Sequence, residues 1–255
     1  MSLNNNIEER KKYFYDNVKI EKEDMVRAEK YLTSKGVESH IAILELLKPY
    51  YDGKIDYEYI SSTYRYDKRI RNTLFKYLAY LEEYYRALIL DRYNDKVDKL
   101  NMHKNLNNKY KLFNDLRISL EEILFSDLKN QIYKMKNELS DIYLFPSNDY
   151  LKENLNAIVD LRNAVMHNKL LVLHHNFKEC YPDFTRETKS ATLTDNIRNL
   201  INFLPKFVRE KCAKDINDCA IRQSDDTHTK WSLPEIVKIN LEIDDYKLEK
   251  NENHI

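Results

Sequence analysis

The chain has 255 residues, long enough to bury a sizeable core without disulfides or metals. Its only glycines, Gly36 and Gly53, leave no room for a glycine-rich dinucleotide or phosphate loop or a G-x-S-x-G elbow, and with five prolines they argue against a sandwich or barrel of many tight turns. Lys plus Arg and Asp plus Glu each total 42, so global charge neither demands nor forbids a polyanionic partner, and any nucleic-acid site must come from local charge.

Residues 1–12 carry charge without the apolar core of a signal peptide, and no stretch approaches the length of a membrane span, so the expectation is a cytoplasmic protein with no membrane partner. Helical spacing of Met25, Ala28, Tyr31 and Leu32 predicts a helix over 22–34, with Gly36 at its C-terminal cap. A second helix covers 40–48 and stops at Pro49, and 49–63 reads as a connection. The strongest periodic element spans about Asp67 to Asn94, where Leu74, Leu78, Leu81, Tyr85, Leu88 and Ile89 recur on one face. Residues 95–114 read as an exposed linker, and Leu116 to Leu139 resumes helical spacing.

Pro146, Ser147 and Asn148 offer a helix start, and that helix runs from about Tyr150 to Met166. Two further helical pieces, Leu193 to Phe203 and Lys206 to Lys214, meet at Pro205. Near the end Val237, Ile239, Leu241 and Ile243 alternate with polar residues, the period of a half-exposed strand that must find a partner. Cys180, Cys212 and Cys219 have no usual zinc spacing and read as reduced structural thiols. Trp231 reads as a packing anchor for the C-terminal segment. The fold expectation is all-α: a helical bundle with extra helices and a short C-terminal strand. It forms one helical domain over 1–215, with an N-terminal helical extension over 1–63, followed by a tail over 216–255.

One arginine sits on the wrong face of its helix. On a wheel of about 100° per residue, Arg162 falls among Leu151, Leu155, Ile158, Val165 and Met166. An unpaired guanidinium in a core costs several kcal/mol, so Arg162 should face a partner, a cleft or a ligand. Glu82 sits inside the apolar arc of the long helix in the same way, which suggests an ion pair between the two helices, although Arg86, one turn on, is an equally reachable partner. His167 follows five residues after Arg162, and Asn163 is i,i+4 to it. Imidazole exchanges protons near neutrality and guanidinium is a permanent cation for phosphoryl oxygens, so the set is suited to cleaving RNA without metal. Arg162 and His167 lie about 140° apart on an ideal helix, and they converge only if the helix breaks near Met166 or two chains share a cleft.

At these residues the sequence resembles the Abi-like (AbiD/AbiF abortive-infection) proteins of bacteria, members of the HEPN group of helical ribonucleases. The run Arg162-Asn163-Ala164-Val165-Met166-His167 matches the R-N-x-x-x-H signature of that group. The segment Asp67-Lys68-Arg69-Ile70-Arg71, followed by Glu82 to Arg86, looks like the family's aspartate, basic pair and E-x-x-x-R helix. The likeness covers about Asp24 to Phe207, and Met166 departs from a position that is often small in such proteins. The resemblance implies a HEPN-type helical bundle, a homodimer with its cleft at the interface, metal-independent RNA cleavage, a role in phage defence, and in some members restraint by a small regulatory RNA. Together with the residue chemistry above, the expectation is that Arg162 and His167 are catalytic, with Asn163 assisting and Glu82 positioning the arginine. No cofactor and no metal site is expected.

Local charge fits an RNA groove. Arg65, Lys68, Arg69 and Arg71 crowd the start of the long helix among Tyr64, Tyr66, Tyr77 and Tyr80, and Arg86 and Lys169 extend the candidate RNA-binding set. For most of these tyrosines core packing is the better reading. The alternative function is a non-catalytic helical module that binds RNA or a partner protein in a defence or toxin-antitoxin system. A third reading is a helical dimer modified by a paired nucleotidyltransferase.

Overall fold

The computed structural model describes residues 3–92, 120–137, 148–182, 188–222 and 230–247. Among these the fold is all-α: α1 (Leu3–Asn17), α2 (Met25–Lys35), α3 (Val37–Leu47), α4 (Tyr57–Arg92), α5 (Phe125–Lys134), α6 (Asn148–Met166), α7 (Leu193–Phe203) and α8 (Lys206–Asp218). Two short strands, β1 (Val18–Lys19) and β2 (Ile55–Asp56), pair in parallel, with Val18 opposite Ile55. No described helix is long and apolar enough to cross a membrane. The linker reading of 95–114, together with Leu116, Leu139, Pro146 and Ser147, falls outside the described residues.

The chain divides into two compact units, each assembled from separate stretches, in place of a domain over 1–215 and a tail. The first comprises Met1–Asn72, Asn168–His174 and Asp215–Asn240. Here α1 packs on α3, which also meets α2, around Phe14, Leu32, Ile43, Leu44, Leu47, Ile60 and Ile70. Gly36 separates α2 from α3 at φ +88° and ψ 134°, a backbone region closed to residues with a Cβ. α4 begins at Tyr57, ten residues before its apolar periodicity becomes strong, because Tyr57, Ile60 and Ser61 to Thr63 are buried and the helix has no solvent-facing start to read.

The predicted C-terminal strand is corrected in this unit. Val237 and Ile239 are buried and Asn240 is exposed, so the alternation is real, but 235–237 form a 3₁₀ turn. Instead of a neighbouring strand, the Tyr66 phenol oxygen accepts the Ile239 amide at 2.8 Å. Burial period reports which side of a chain faces the core, and a side chain can satisfy the backbone as well as a strand can.

The second unit comprises Thr73–His167, His175–Lys214 and Leu241–Ile255. α6 is its centre and packs on both α5 and α7. Three fully buried asparagines belong to this packing, Asn154 on α6 and Asn196 and Asn199 on α7. Asn154 accepts the Tyr181 amide at 2.7 Å and donates to the Tyr181 carbonyl at 3.2 Å, Asn199 donates to the Asn154 carbonyl at 2.9 Å, and Asn196 donates to the Lys178 and Thr192 carbonyls. Each buried amide is bonded through its nitrogen: Asn154 ties irregular chain to α6, Asn199 ties α7 to α6, and Asn196 ties irregular chain to α7. Cys180, Cys212 and Cys219 are buried free thiols, and burial pushes the Cys180 thiol up to about 12.

Candidate active site at the end of α6

The helix predicted over 150–166 is present as Asn148–Met166, and Leu151, Leu155, Ile158, Leu161, Ala164 and Val165 fill its buried stripe. Arg162 lies half-buried on that stripe. Its guanidinium carbon stands 6.0 Å from the centre of the Phe125 ring, which itself stacks on Tyr85 with ring planes 6° apart. Its Nε is buried and donates to no acceptor. An aromatic face, with its negative quadrupole, accounts for the charge on the apolar side of the helix.

The pairing of Glu82 with Arg162 is corrected. Glu82 Oε1 accepts from Arg86 Nη2 at 2.7 Å, and Arg86 Nε donates to the Leu120 carbonyl at 2.9 Å. Partners one turn apart on a helix are already close when the helix forms, so the i,i+4 pair forms without any tertiary ordering. Both charges are half-buried and committed to each other, so neither Glu82 as a positioning group nor Arg86 as an RNA-binding group is free as the sequence reading supposed.

Asn163 and His167 lie on the exposed face of α6, about 40° apart by helical spacing, and neither side chain bonds another described residue. The helix does end at Met166, as convergence with Arg162 requires. However, the His167 amide still donates to the Asn163 carbonyl at 3.0 Å, and the reversal comes at Asn168, which takes φ +53°. The helical spiral therefore carries through His167. Within one chain the imidazole faces water while the guanidinium turns to the aromatic pair, a divergence of about 140°.

The first unit holds most of the predicted RNA-binding residues, and it uses three of them internally. Arg71 is buried: its Nε donates to Asp67 Oδ2 at 2.7 Å and its Nη1 to Asn168 Oδ1 at 3.1 Å. Asp67, with no exposed surface, also accepts the Val172 amide at 3.1 Å, and burial pushes its carboxyl upward against the pull of Arg71 and these amides. The sequence reading of Arg71 as an RNA contact is thus corrected, because a carboxylate one turn before it and an asparagine amide use its donors. This cluster was missed, although Asp67 and Arg71 at i,i+4 and an asparagine at a helix end are both readable signals. Arg65 donates to the Lys230 carbonyl at 2.6 Å and Arg69 to the Ile221 carbonyl at 2.8 Å, and both guanidinium groups lie over Trp231. Trp231 is the packing anchor expected of it. Lys68 and Lys169 are exposed and bond no other described residue.

Tyr66 is buried, Tyr77 is 2% exposed, and Tyr64 stacks on His40 with centroids 5.5 Å apart, so these rings serve packing. No group of three or more His, Cys, Asp or Glu residues able to hold a metal ion occurs among the described residues. No family model, curated protein or solved structure matches the chain.

Proposed function

We propose that this chain is a metal-independent endoribonuclease of the abortive-infection type, acting as a homodimer whose cleft receives Arg162, Asn163 and His167 from both copies. One observation carries the reading: the end of α6 holds a guanidinium with a buried, unpartnered Nε on one side and, on the solvent side, an exposed amide and an exposed imidazole that bond nothing else described. Polar groups kept without internal partners are groups a ligand can use.

In the reaction the RNA 2′-oxygen attacks the adjacent phosphorus as the bond to the 5′-oxygen breaks, leaving a 2′,3′-cyclic phosphate and a 5′-hydroxyl. An imidazole takes the 2′-hydroxyl proton and an imidazole supplies the proton to the leaving 5′-oxygen. A dimer provides two of them. Arg162 neutralises the non-bridging oxygens as charge builds there, and Asn163 orients the phosphate or the ring beside it.

The test is cleavage of labelled RNA by the purified protein in EDTA. The wild type yields 2′,3′-cyclic ends, and His167→Ala lowers the rate by about 10²- to 10⁴-fold, the usual yield of general acid–base catalysis, with an unchanged circular dichroism spectrum. Cleavage that survives in the folded variant, or that needs a divalent ion, overturns the proposal. The divergence of Arg162 from His167 favours the second reading, a helical module that binds RNA or protein without cutting. Binding without cyclic ends in the same assay would select it.

A further inference from the structure

The face of α4 that carries Arg65 and Arg69 is covered by chain from near the C-terminus, and the covering chain has the chemistry of a nucleic-acid strand. Arg65 and Arg69 are one turn apart and share a face with Ser62, while exposed Lys68 borders it. The Trp231 ring lies against both guanidinium groups, with its centre 5.1 Å from Arg65 and 4.4 Å from Arg69. Around that ring the main-chain oxygens of Lys230 and Ile221 accept from the same two arginines. An aromatic face against guanidinium groups, flanked by acceptor oxygens, is also how a splayed-out base and its phosphates meet arginines.

We propose that this face of α4 is a binding site for single-stranded RNA, occupied by Trp231 in place of a base. The segment 230–240 acts as an internal competitor, and RNA binds by lifting its first residues. This inference rests on the reading of the chain as an RNA enzyme and supplies its regulation.

The segment is unevenly held, as a displaceable strap must be. Its far part is fixed, since Pro234, Val237 and Ile239 are buried and the Ile239 amide bonds Tyr66. Its near part is half-buried and held by polar contacts: Trp231 Nε1 to the Ala220 carbonyl at 3.0 Å, the Ser232 amide to Ser62 Oγ at 3.0 Å, and an exposed Lys230–Glu23 pair at 3.4 Å. Segments with few buried apolar contacts open at a small fraction of the global unfolding free energy. Exchange favours RNA in kind as well, because a phosphate brings a full negative charge to the guanidinium where a carbonyl brings only a dipole. Glu58 Oε2 stands 3.8 Å from Arg65 while its Oε1 pairs with Arg27, so a phosphate arriving at Arg65 meets a carboxylate that Arg27 partly neutralises.

Trp231 is the only tryptophan, so the protein carries its own reporter. The experiment titrates the non-cleaving His167→Ala protein, otherwise the full chain, with a single-stranded oligoribonucleotide, and follows tryptophan emission and RNA anisotropy together. The expected result is a red shift that saturates with RNA binding. In the same background Trp231→Ala binds about tenfold tighter with an unchanged log–log salt slope, because both complexes make the same phosphate contacts once the segment is lifted. Adding Arg65→Gln and Arg69→Gln to Trp231→Ala removes the gain. RNA that binds without moving the emission, or does not bind at all, overturns the proposal. So does an equal shift with polyglutamate, which would assign the face to an acidic protein segment. Cleavage plays no part in these readouts, so loss of the nuclease reading and loss of the strap are seen separately.

Discussion

Arg162 keeps an unpartnered Nε on the buried side of its helix, a poor choice for stability alone. Replacing a partly buried charge by an apolar side chain of similar length is often neutral or stabilising. Arg162→Met should therefore unfold at an equal or higher urea concentration than the wild type while losing RNA cleavage. A lower midpoint together with retained cleavage would make the residue purely structural. His40 gives a second prediction at this scale. Its Nδ1 lies 2.9 Å from the Gly36 carbonyl oxygen, which can only accept, so Nδ1 carries the hydrogen. Burial holds the ring below the ordinary histidine pKa of 6.5, against the smaller upward pull of that carbonyl. The unfolded chain then binds a proton that the folded chain resists. Stability is fully present above pH 6.5 and falls as the pH drops below it, by up to about 1.4 kcal/mol for each unit of depression. The urea midpoint of the wild type should decline between pH 7 and 5, and His40→Gln should flatten that decline.

At the scale of elements, the end of α6 decides where His167 points. Asn168 takes φ +53°, which costs a residue with a Cβ about 1–2 kcal/mol, less for asparagine, whose short amide bonds locally. Its Oδ1 accepts from Arg71, which is held in turn by Asp67. Asn168→Ala should destabilise the protein by about 2 kcal/mol, from backbone strain plus a lost acceptor for a buried guanidinium. Thermal unfolding checks this, and a change within about 0.5 kcal/mol would show that Asn168 holds nothing. Elements with strong periodicity were legible in the sequence. α7 is present over the predicted residues, and α6 begins two residues before its prediction, because a pattern repeating every 3.6 residues records which side is buried. The two-residue strands β1 and β2 were not legible, since so short a parallel pair has no period to detect.

At the scale of the whole molecule, the divergence of Arg162 and His167 on one helix turns the nuclease proposal into a statement about assembly. If the working site takes arginine from one copy and histidine from the other, the protein sediments at twice its 30.8 kDa chain mass. Mixing wild type with an excess of inactive His167→Ala then lowers cleavage below what dilution alone gives, because a mixed dimer keeps only one of the two imidazoles. A monomer, or a wild-type rate that the added variant leaves unchanged, would mean that two chains do not share a site.

The sequence alone determined that the chain is helical, where its strongest helices lie, and that Arg162 stands on an apolar stripe with Asn163 and His167 facing away from it. Those are local properties, written in residue types a few positions apart. Tertiary structure decided the partners. Phe125 lies under Arg162 and Trp231 against Arg65 and Arg69, while Asn168 accepts from Arg71 and the Tyr66 phenol from the Ile239 amide. A charged side chain takes the nearest acceptor or aromatic face that folding brings to it. Apart from pairs one helical turn apart, such as Glu82 and Arg86, those neighbours come from distant stretches of chain whose approach no periodicity encodes.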